Sequence, residues 1–320
     1  MNLRNFDARI LATVTVTFNP DLSLLENQLR LLPETCRKVV VDNASSPDCV
    51  EEIESLAARI ANVRLLRNAD NLGLAAAINH GVMAAATEVS PSPQWLLLLD
   101  QDSEPRPGSI EALVDAFDAM VAKGESVGCV GPLLRDPATG LTHGFHQCSS
   151  WRWKRMHPSA ESVEPVSCSN LNGSGTLVSM ALFRQLGGLD ESMFIDHVDT
   201  EWSFRVLAAG YSLWGAPAAL FDHRMGEASL RFWCFGWRVW PSRSPQRHYF
   251  LFRNAIWLMR RDYVPRVWKV WAVVKILLTV IVVGILGPMR WRQWSFMQRG
   301  IREGMSRSSP VDMKPKQMIR

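Results

Sequence analysis

The chain is predicted to be an α/β protein: a doubly wound, mostly parallel sheet, followed by a helical C-terminal extension rich in aromatic and basic residues. Three observations carry this expectation. Short apolar, β-branched runs alternate with segments of helical period from Ile10 to Leu99. Each of those runs stops at Asn or Asp. From Val270 to Gly287 the sequence is almost wholly apolar, with arginines on both sides.

Ile10 to Phe18 alternates apolar residues with Thr, the pattern of a strand. It stops at Asn19-Pro20-Asp21, where Asp21 can cap a helix whose Leu22, Leu25, Leu29 and Leu32 recur at helical spacing. Lys38 to Val41 reads as a second strand ending at Asp42-Asn43, and a polar turn leads to a helix over Cys49 to Ile60. Val63 to Arg67 is the third strand, and the alanine-rich Leu72 to Ala86 is a helix. Trp95 to Leu99 is the fourth; its four leucines between polar flanks suit a strand buried on both faces. Pro107 to Ala122 is an amphipathic helix and Val127 to Leu134 a further strand. Asp136 to Pro165, rich in Pro, Ser and His, reads as a long loop or hairpin. Leu177 to Ser179 is a short strand, a helix runs through Arg205, Leu207 and Ala208, and a strand-like run precedes His223. Ser244 to Asp262 is a helix studded with aromatics and arginines. The expected division is 1–225, with halves 1–134 and 135–225, followed by 226–320.

In an open α/β sheet the carboxyl ends of parallel strands share one rim, where ligands bind. That rim collects Asn19, Asp42, Asn68 to Asn71, and Asp100 with Asp102. A carboxylate pair at i, i+2 facing a crevice suits a hard divalent cation, which suits a diphosphate. Any single Asn or Asp here serves equally as a turn or cap. There is no GxGxxG and no Walker A sequence, so dinucleotide and P-loop readings lack their phosphate-binding turns. In Asn172-Gly173-Ser174-Gly175-Thr176 the glycines let backbone approach a ligand closely, or make an ordinary tight turn. Phe194 to Trp202 brings Asp196, His197, Asp199 and Glu201 together just as a helix begins.

The net charge of +4 does not indicate nucleic-acid binding. Arginine and tryptophan crowd the last third, as a membrane interface selects. The six cysteines show neither CxxC nor zinc spacing, so free thiols in a reducing cytoplasm are expected. Met1 to Arg9 is polar and gives no signal-peptide pattern. Val270 to Gly287 is long enough to cross a bilayer despite Lys275, but both flanks are basic, which disfavours sending either one across. A helix lying in the interface or re-entering it reconciles these facts, with a buried core helix as the soluble alternative.

Thr17-Phe18-Asn19-Pro20, Val41-Asp42-Asn43-Ala44-Ser45, Asn71-Leu72-Gly73 with Asn79-His80-Gly81, and Asp100-Gln101-Asp102 resemble, in order, the motifs of family-2 glycosyltransferases with the GT-A fold. The Asp-Gln-Asp-Ser form resembles the bacterial rhamnosyltransferase branch, as does the basic-aromatic segment around Arg247, Tyr249, Phe250, Arg253 and Asn254. The resemblance implies that Asn19 and Asp42 contact the nucleotide base and ribose, and that Asn71, Gly73 and Asn79 shape the pyrophosphate side. Gly173 and Ser174 join the substrate-binding set. Asp100 and Asp102 would face Mg2+ or Mn2+ and the sugar diphosphate, with His223 as a further metal ligand. The segment before the last catalytic helix resembles the family's Glu-Asp motif, with Val198 where Glu is usual. That alignment puts Asp199 on the base position, with Glu201 as second candidate.

The reaction so implied is an inverting transfer of L-rhamnose from dTDP-L-rhamnose to a lipid-linked saccharide in O-antigen synthesis, at the cytoplasmic face of the bacterial inner membrane. A rhamnolipid-type glycolipid is the alternative acceptor. Two readings of another class are a metal-dependent nucleotidyltransferase and a non-catalytic nucleotide-sugar-binding membrane scaffold. The former needs a Gly-rich basic loop where Phe18-Asn19-Pro20-Asp21 stands, and the intact carboxylates disfavour the latter.

Overall fold

Strand β1 (Leu11–Thr17) is followed by α1 (Leu22–Leu31), β2 (Arg37–Asp42), α2 (Pro47–Arg59), β3 (Val63–Arg67), α3 (Leu74–Ala86) and β4 (Trp95–Asp100). These four strands are mutually parallel in the order β3-β2-β1-β4. This is the sheet half that the alternating pattern predicts. Residues 6–87, 91–149, 151–159, 161–224, 229–233 and 237–306 are described by the structure, a computed structural model. The leucines of β4 divide between two cores: Leu96 and Leu98 pack on the face carrying α3, Leu97 and Leu99 on the face carrying α1 and α4 (Ser109–Ala122). None of the four is more than 3% exposed, as a strand covered by helices on both sides requires.

Next come β5 (Ser103–Pro105), β6 (Val127–Arg135), β7 (Phe145–Cys148), β8 (Trp153–Met156), β9 (Val166–Cys168), β10 (Thr176–Ser179), α5 (Met180–Gln185), α6 (Val198–Ala208) and β11 (Ser212–His223). The sheet continues beyond β4 as β10-β6-β11-β5, with β9 also on β11. Here the pairing is mixed. Strands β6 and β11 are parallel, but β10 runs antiparallel to both β4 and β6, and β5 and β9 run antiparallel to β11. The reversal has a local cause: the chain enters β10 at the ligand rim, through the turn at Gly175 whose N–H bonds Leu98 O, so it must run away from that rim. The stretch expected as loop or hairpin contains the antiparallel β7–β8 hairpin.

The C-terminal region holds the hairpin β12 (Ser229–Trp233) and β13 (Trp237–Pro241), then α7 (Pro245–Arg260), α8 (Arg266–Leu286) and α9 (Arg290–Ser306). Ser244 caps α7 by accepting from Arg247 N, with Pro245 at the first helical position. Helix α9 packs closely on α7 because Gly300 and Gly304 face it; a Cβ at Gly300 would meet Tyr249 O at 2.5 Å. Helix α8 has 21 residues and a mean hydropathy of 2.3, yet only 11% of its apolar window is buried. It is therefore not a buried core helix. Trp268, Ala272, Thr279 and Val283 form the stripe facing the protein, while Trp271, Leu277, Leu278, Ile281 and Ile285 are exposed. Among the described residues Cys36, Cys49, Cys129, Cys148 and Cys168 are free thiols. Cys234, the expected boundary at residue 225, and the termini 1–5 and 307–320 lie outside the described residues.

Candidate active site

The turn after β4 is built to present carboxylates. Gln28 on α1, itself fully buried, donates through Nε2 to Asp100 O at 2.7 Å and Ser103 O at 2.6 Å, and accepts from Thr15 Oγ at 2.8 Å. Gln101 turns the other way and accepts from Phe18 N at 2.8 Å, tying this turn to the end of β1. The antiparallel register of β5 with β11 sets His223 opposite Ser103. Arg106 and Arg135 hold the neighbouring Asp222 at 3.0 and 2.8 Å. As a result, one ligand atom each from Asp100, Asp102 and His223 lies within 4.8 Å of the others. Two carboxylates and an imidazole at this spacing fit one divalent cation with coordination positions left for phosphate oxygens. Burial pushes the Asp100 carboxyl up to about 6; His223 opposes that shift, while Asp102 and Asp199 add to it. A cation at this corner would remove that penalty.

Asp199 occupies the second position of α6. Its Oδ1 accepts from Thr200 N at 2.8 Å, and the Gly173 N–H bonds its carboxylate as well. Burial raises its pKa above the ordinary carboxylate range. A Cβ at Gly173 would lie 3.7 Å from that of Asp199, and the next residue, Ser174, accepts from Asp100 N, so the Gly173–Ser174 turn joins the base candidate to the metal corner.

The loop delivering Asp199 is strained. Phe194, Asp196 and His197 all adopt left-handed backbone, with φ of 60°, 62° and 64°. Such residues cost on the order of 1–3 kcal/mol each and persist only where the surroundings hold them. Helix α7 does the holding. Asn254 Nδ2 donates to the carbonyls of Met193, Ile195 and Asp196 at 2.7, 2.9 and 2.9 Å, and Arg253 donates to Ser192 O at 2.7 Å. Asp196 itself pairs with Arg243 at 2.7 Å and Arg247 at 2.8 Å. Phe194 stacks on Phe250 with ring centroids 4.6 Å apart and closes over the start of α3. There Gly73 has φ 86° and ψ 166°, and a Cβ would lie 2.6 Å from the Phe194 ring.

The remaining predicted residues fall into two groups. Asn19 is exposed at the rim, its Oδ1 accepting from Ser46 N at 2.9 Å; Asn71, also exposed, accepts from Asn43 Nδ2 at 2.9 Å. Asp42 is 1% exposed and spends its carboxylate on the Ser45 N–H and hydroxyl, which shapes the turn beneath Asn19. Ser174 is buried, accepts from Asp100 N at 3.4 Å and meets Ser103 Oγ, which in turn lies 2.7 Å from His223 Nδ1. It supports the metal corner from behind. Asn79 grips the Leu189 backbone through both its amide atoms and also donates to Glu191. Glu201 faces away from the cleft: 1% exposed, it is held by Arg205, Arg261 and the Tyr263 hydroxyl at 2.7, 2.9 and 2.7 Å. Of the two base candidates, Asp199 alone reaches the cleft. Gln28 had no sequence signal beyond its polarity, and the motifs that contain Gln101, Ser103 and Asn254 gave no hint of their supporting roles; each matters through partners far away along the chain.

Residues 15–187 match the family model described as Glycosyl transferase family 2. The chain is 32% identical over 256 residues to the dTDP-rhamnosyl transferase RfbF of Shigella flexneri, covering 79% of this chain and 80% of that protein. It is 28% identical over 249 residues to an N-acetylglucosaminyl-diphospho-decaprenol L-rhamnosyltransferase of Mycobacterium tuberculosis, covering 69% and 78%. Among solved structures it is similar to GalNAc-T7 with UDP, GalNAc and Mn2+, at TM-score 0.55 and 17% identity over 92% of this chain and 56% of that one. It is also similar to the mannosyltransferase PcManGT of Pyrobaculum calidifontis, at TM-score 0.52 and 13% identity over 95% and 88%. At these identities the structural likeness establishes the GT-A-like fold.

Proposed function

The chain belongs to glycosyl transferase family 2, and from that premise we propose that it transfers L-rhamnose from dTDP-L-rhamnose to a lipid-linked saccharide with inversion at the anomeric carbon. The donor is supported by the dTDP-rhamnosyl transferase among its relatives, and a lipid diphosphate acceptor by the diphospho-decaprenol enzyme. The single observation that carries the reading is the Gly173–Ser174 turn, which joins Asp199 to the corner formed by Asp100, Asp102 and His223.

A divalent cation held by those three side chains would offset the negative charge that develops on the departing nucleoside diphosphate. Asp199 accepts the proton of the acceptor hydroxyl as that oxygen attacks the sugar from the face opposite the diphosphate. Its burial suits this role, since a carboxylate with a raised pKa is a stronger base. Gly173 and Thr200 N–H groups fix its orientation. The exposed apolar face of α8 supports a peripheral position on the cytoplasmic face of the bacterial inner membrane, where a lipid-linked acceptor of O-antigen type would be met.

Incubating the protein with dTDP-L-rhamnose and Mg2+ or Mn2+ tests the donor: dTDP release is expected. Pyrophosphate release from a nucleoside triphosphate, without dTDP release, would replace this reading by nucleotidyl transfer. A mass spectrum of the glycolipids lost when the gene is disrupted separates a lipid-linked saccharide from a rhamnolipid-type acceptor.

A further inference from the structure

A second charged cluster lies near Asp199. It draws on three separate elements. Arg155 comes from β8, Arg243 from the segment before α7, and Lys275 from α8, where helical spacing sets it between the buried Ala272 and Thr279, its side chain still exposed. Strand β8 packs against α8, and His197 rests edge-on against Trp268 of α8 with ring centroids 5.6 Å apart. Arg243 pairs with Asp196 at 2.7 Å, and Asp196 adjoins the His197 that meets Trp268. Lys275 stands two helical turns beyond Trp268 on the same side of α8, next to β8, so the three cations surround one space. Lys275 senses Arg243, Arg155, Asp196 and Asp199 electrostatically. Of the two carboxylates there, Asp196 is already neutralised by Arg243 and Arg247, and Asp199 is the base. Among the described residues, Lys275 and Arg155 form no salt bridge; Arg155 reaches only His146 Nε2, at 3.4 Å. His146 and His197, which line the same space, are pushed down to about 4, by burial first and then by Arg155 and Lys275 respectively, so neither adds charge at neutral pH.

Two solvent-reachable cations without counterions, beside a third, hold a positive potential that an anion would relieve. The cluster adjoins the exposed apolar face of α8, and between that helix and the β7–β8 hairpin lies a groove lined by Trp151, Val267, Val270 and Trp271, with Arg266 at its edge. The charge and the apolar surface together specify an amphiphile: an anionic group next to the base, and a hydrocarbon chain leading away along the helix.

We propose that Arg155, Arg243 and Lys275 seat the diphosphate of a polyprenyl-diphosphate-linked acceptor, whose hydrocarbon lies on the exposed face of α8 while its sugar reaches Asp199. This deepens the acceptor class of the transfer reading above and rests on it. The position also accounts for the lysine within an otherwise apolar helix, since Lys275 lies on the side of α8 that carries Ala272 and Thr279, not on the exposed side of Leu277 and Ile281.

The test measures farnesyl diphosphate binding to the full chain by tryptophan fluorescence. dTDP and Mg2+ are present at saturation, so the donor corner is filled. In the variant carrying Lys275→Gln and Arg155→Gln, both at exposed positions, affinity is expected to fall about tenfold or more, and Lys275→Arg should retain it. Farnesol should bind weakly and equally to all forms. Unchanged affinity for farnesyl diphosphate in the double variant overturns the proposal, as does farnesol binding as tightly as the diphosphate. Inorganic pyrophosphate binding as tightly as farnesyl diphosphate would mark a free-phosphate site, and overturns it too. If phosphatidylglycerol vesicles depend on these residues while farnesyl diphosphate does not, the cluster is a headgroup site and the proposal fails. None of these readouts requires turnover, so failure of rhamnosyl transfer is scored separately by dTDP release.

Discussion

Replacing Asn254 by alanine asks whether α7 holds the catalytic loop or merely neighbours it. The side chain is fully buried and its one amide group serves three carbonyls within the loop before Asp199. Arg253 still reaches Met193 O at 3.3 Å, so the carbonyls of Ile195 and Asp196 are the ones left short of a donor. At about 1–3 kcal/mol for each buried acceptor without a partner, the variant should lose ~2–6 kcal/mol locally. That loss matches the strain stored in the left-handed residues Phe194, Asp196 and His197, so the loop gains by relaxing. Asp199 begins three residues beyond Asp196, and a misplacement of about 1 Å at a reacting group costs on the order of 10²-fold. Initial rates of dTDP release at saturating donor and acceptor should therefore show kcat down roughly 30- to 100-fold, with dTDP affinity changed by less than about twofold. Donor binding is spared because its corner is carried by β4, β5 and β11. Asn254→Asp keeps the shape without the N–H group and should lose as much. A folded Asn254→Ala protein with kcat near that of the parent, or an Asp variant that restores it, would refute the reasoning.

Four further outcomes are expected. Asp199→Asn should fold and bind dTDP normally yet lose about 10²- to 10⁴-fold in kcat, read by single-turnover transfer. Because burial takes Asp100 to about 6 without a cation, cation affinity should be full above that value and fall as pH drops through it, and because burial raises Asp199, activity at saturating cation should also fall toward acid. The sign for stability is opposite: a carboxyl raised in the folded state destabilises the metal-free protein above its folded pKa, and that cost fades toward acid, so Mn2+ should raise Tm more at about pH 7.5 than at about pH 5. Gly73→Ala, which puts a side chain into backbone space open essentially to glycine alone and against Phe194, should cost ~1–3 kcal/mol or more and lower Tm in a thermal melt. Leu277→Asp with Ile281→Asp, both on the exposed face of α8, should weaken co-sedimentation with phosphatidylglycerol vesicles by roughly tenfold or more without lowering Tm.

Periodicity alone determined the parallel half of this protein. A strand pattern such as Ile10 to Phe18 or the four leucines of β4 is local, and so is the Asn or Asp that ends each run; the rim then follows from the general geometry of parallel sheets. The carboxylates Asp100 and Asp102 were legible for the same reason: two ligands two residues apart are close in any conformation the turn can adopt. Local spacing could not decide which distant groups meet them; only the family resemblance pointed to His223 and put Asp199 before Glu201. His223 reaches the corner only because β11 runs antiparallel to β5, across a gap of 120 residues from Ser103. Glu201 and Asp199 look alike two positions apart, but rotation along α6 sends one into an arginine cluster and leaves the other in the cleft. Lys275 reads as a fault in an apolar helix until the burial of Trp268, Ala272 and Thr279 shows that it shares their side of α8. In each case the deciding quantity is a direction in space, set by the packing of elements far apart in the chain, and local spacing carries no record of it.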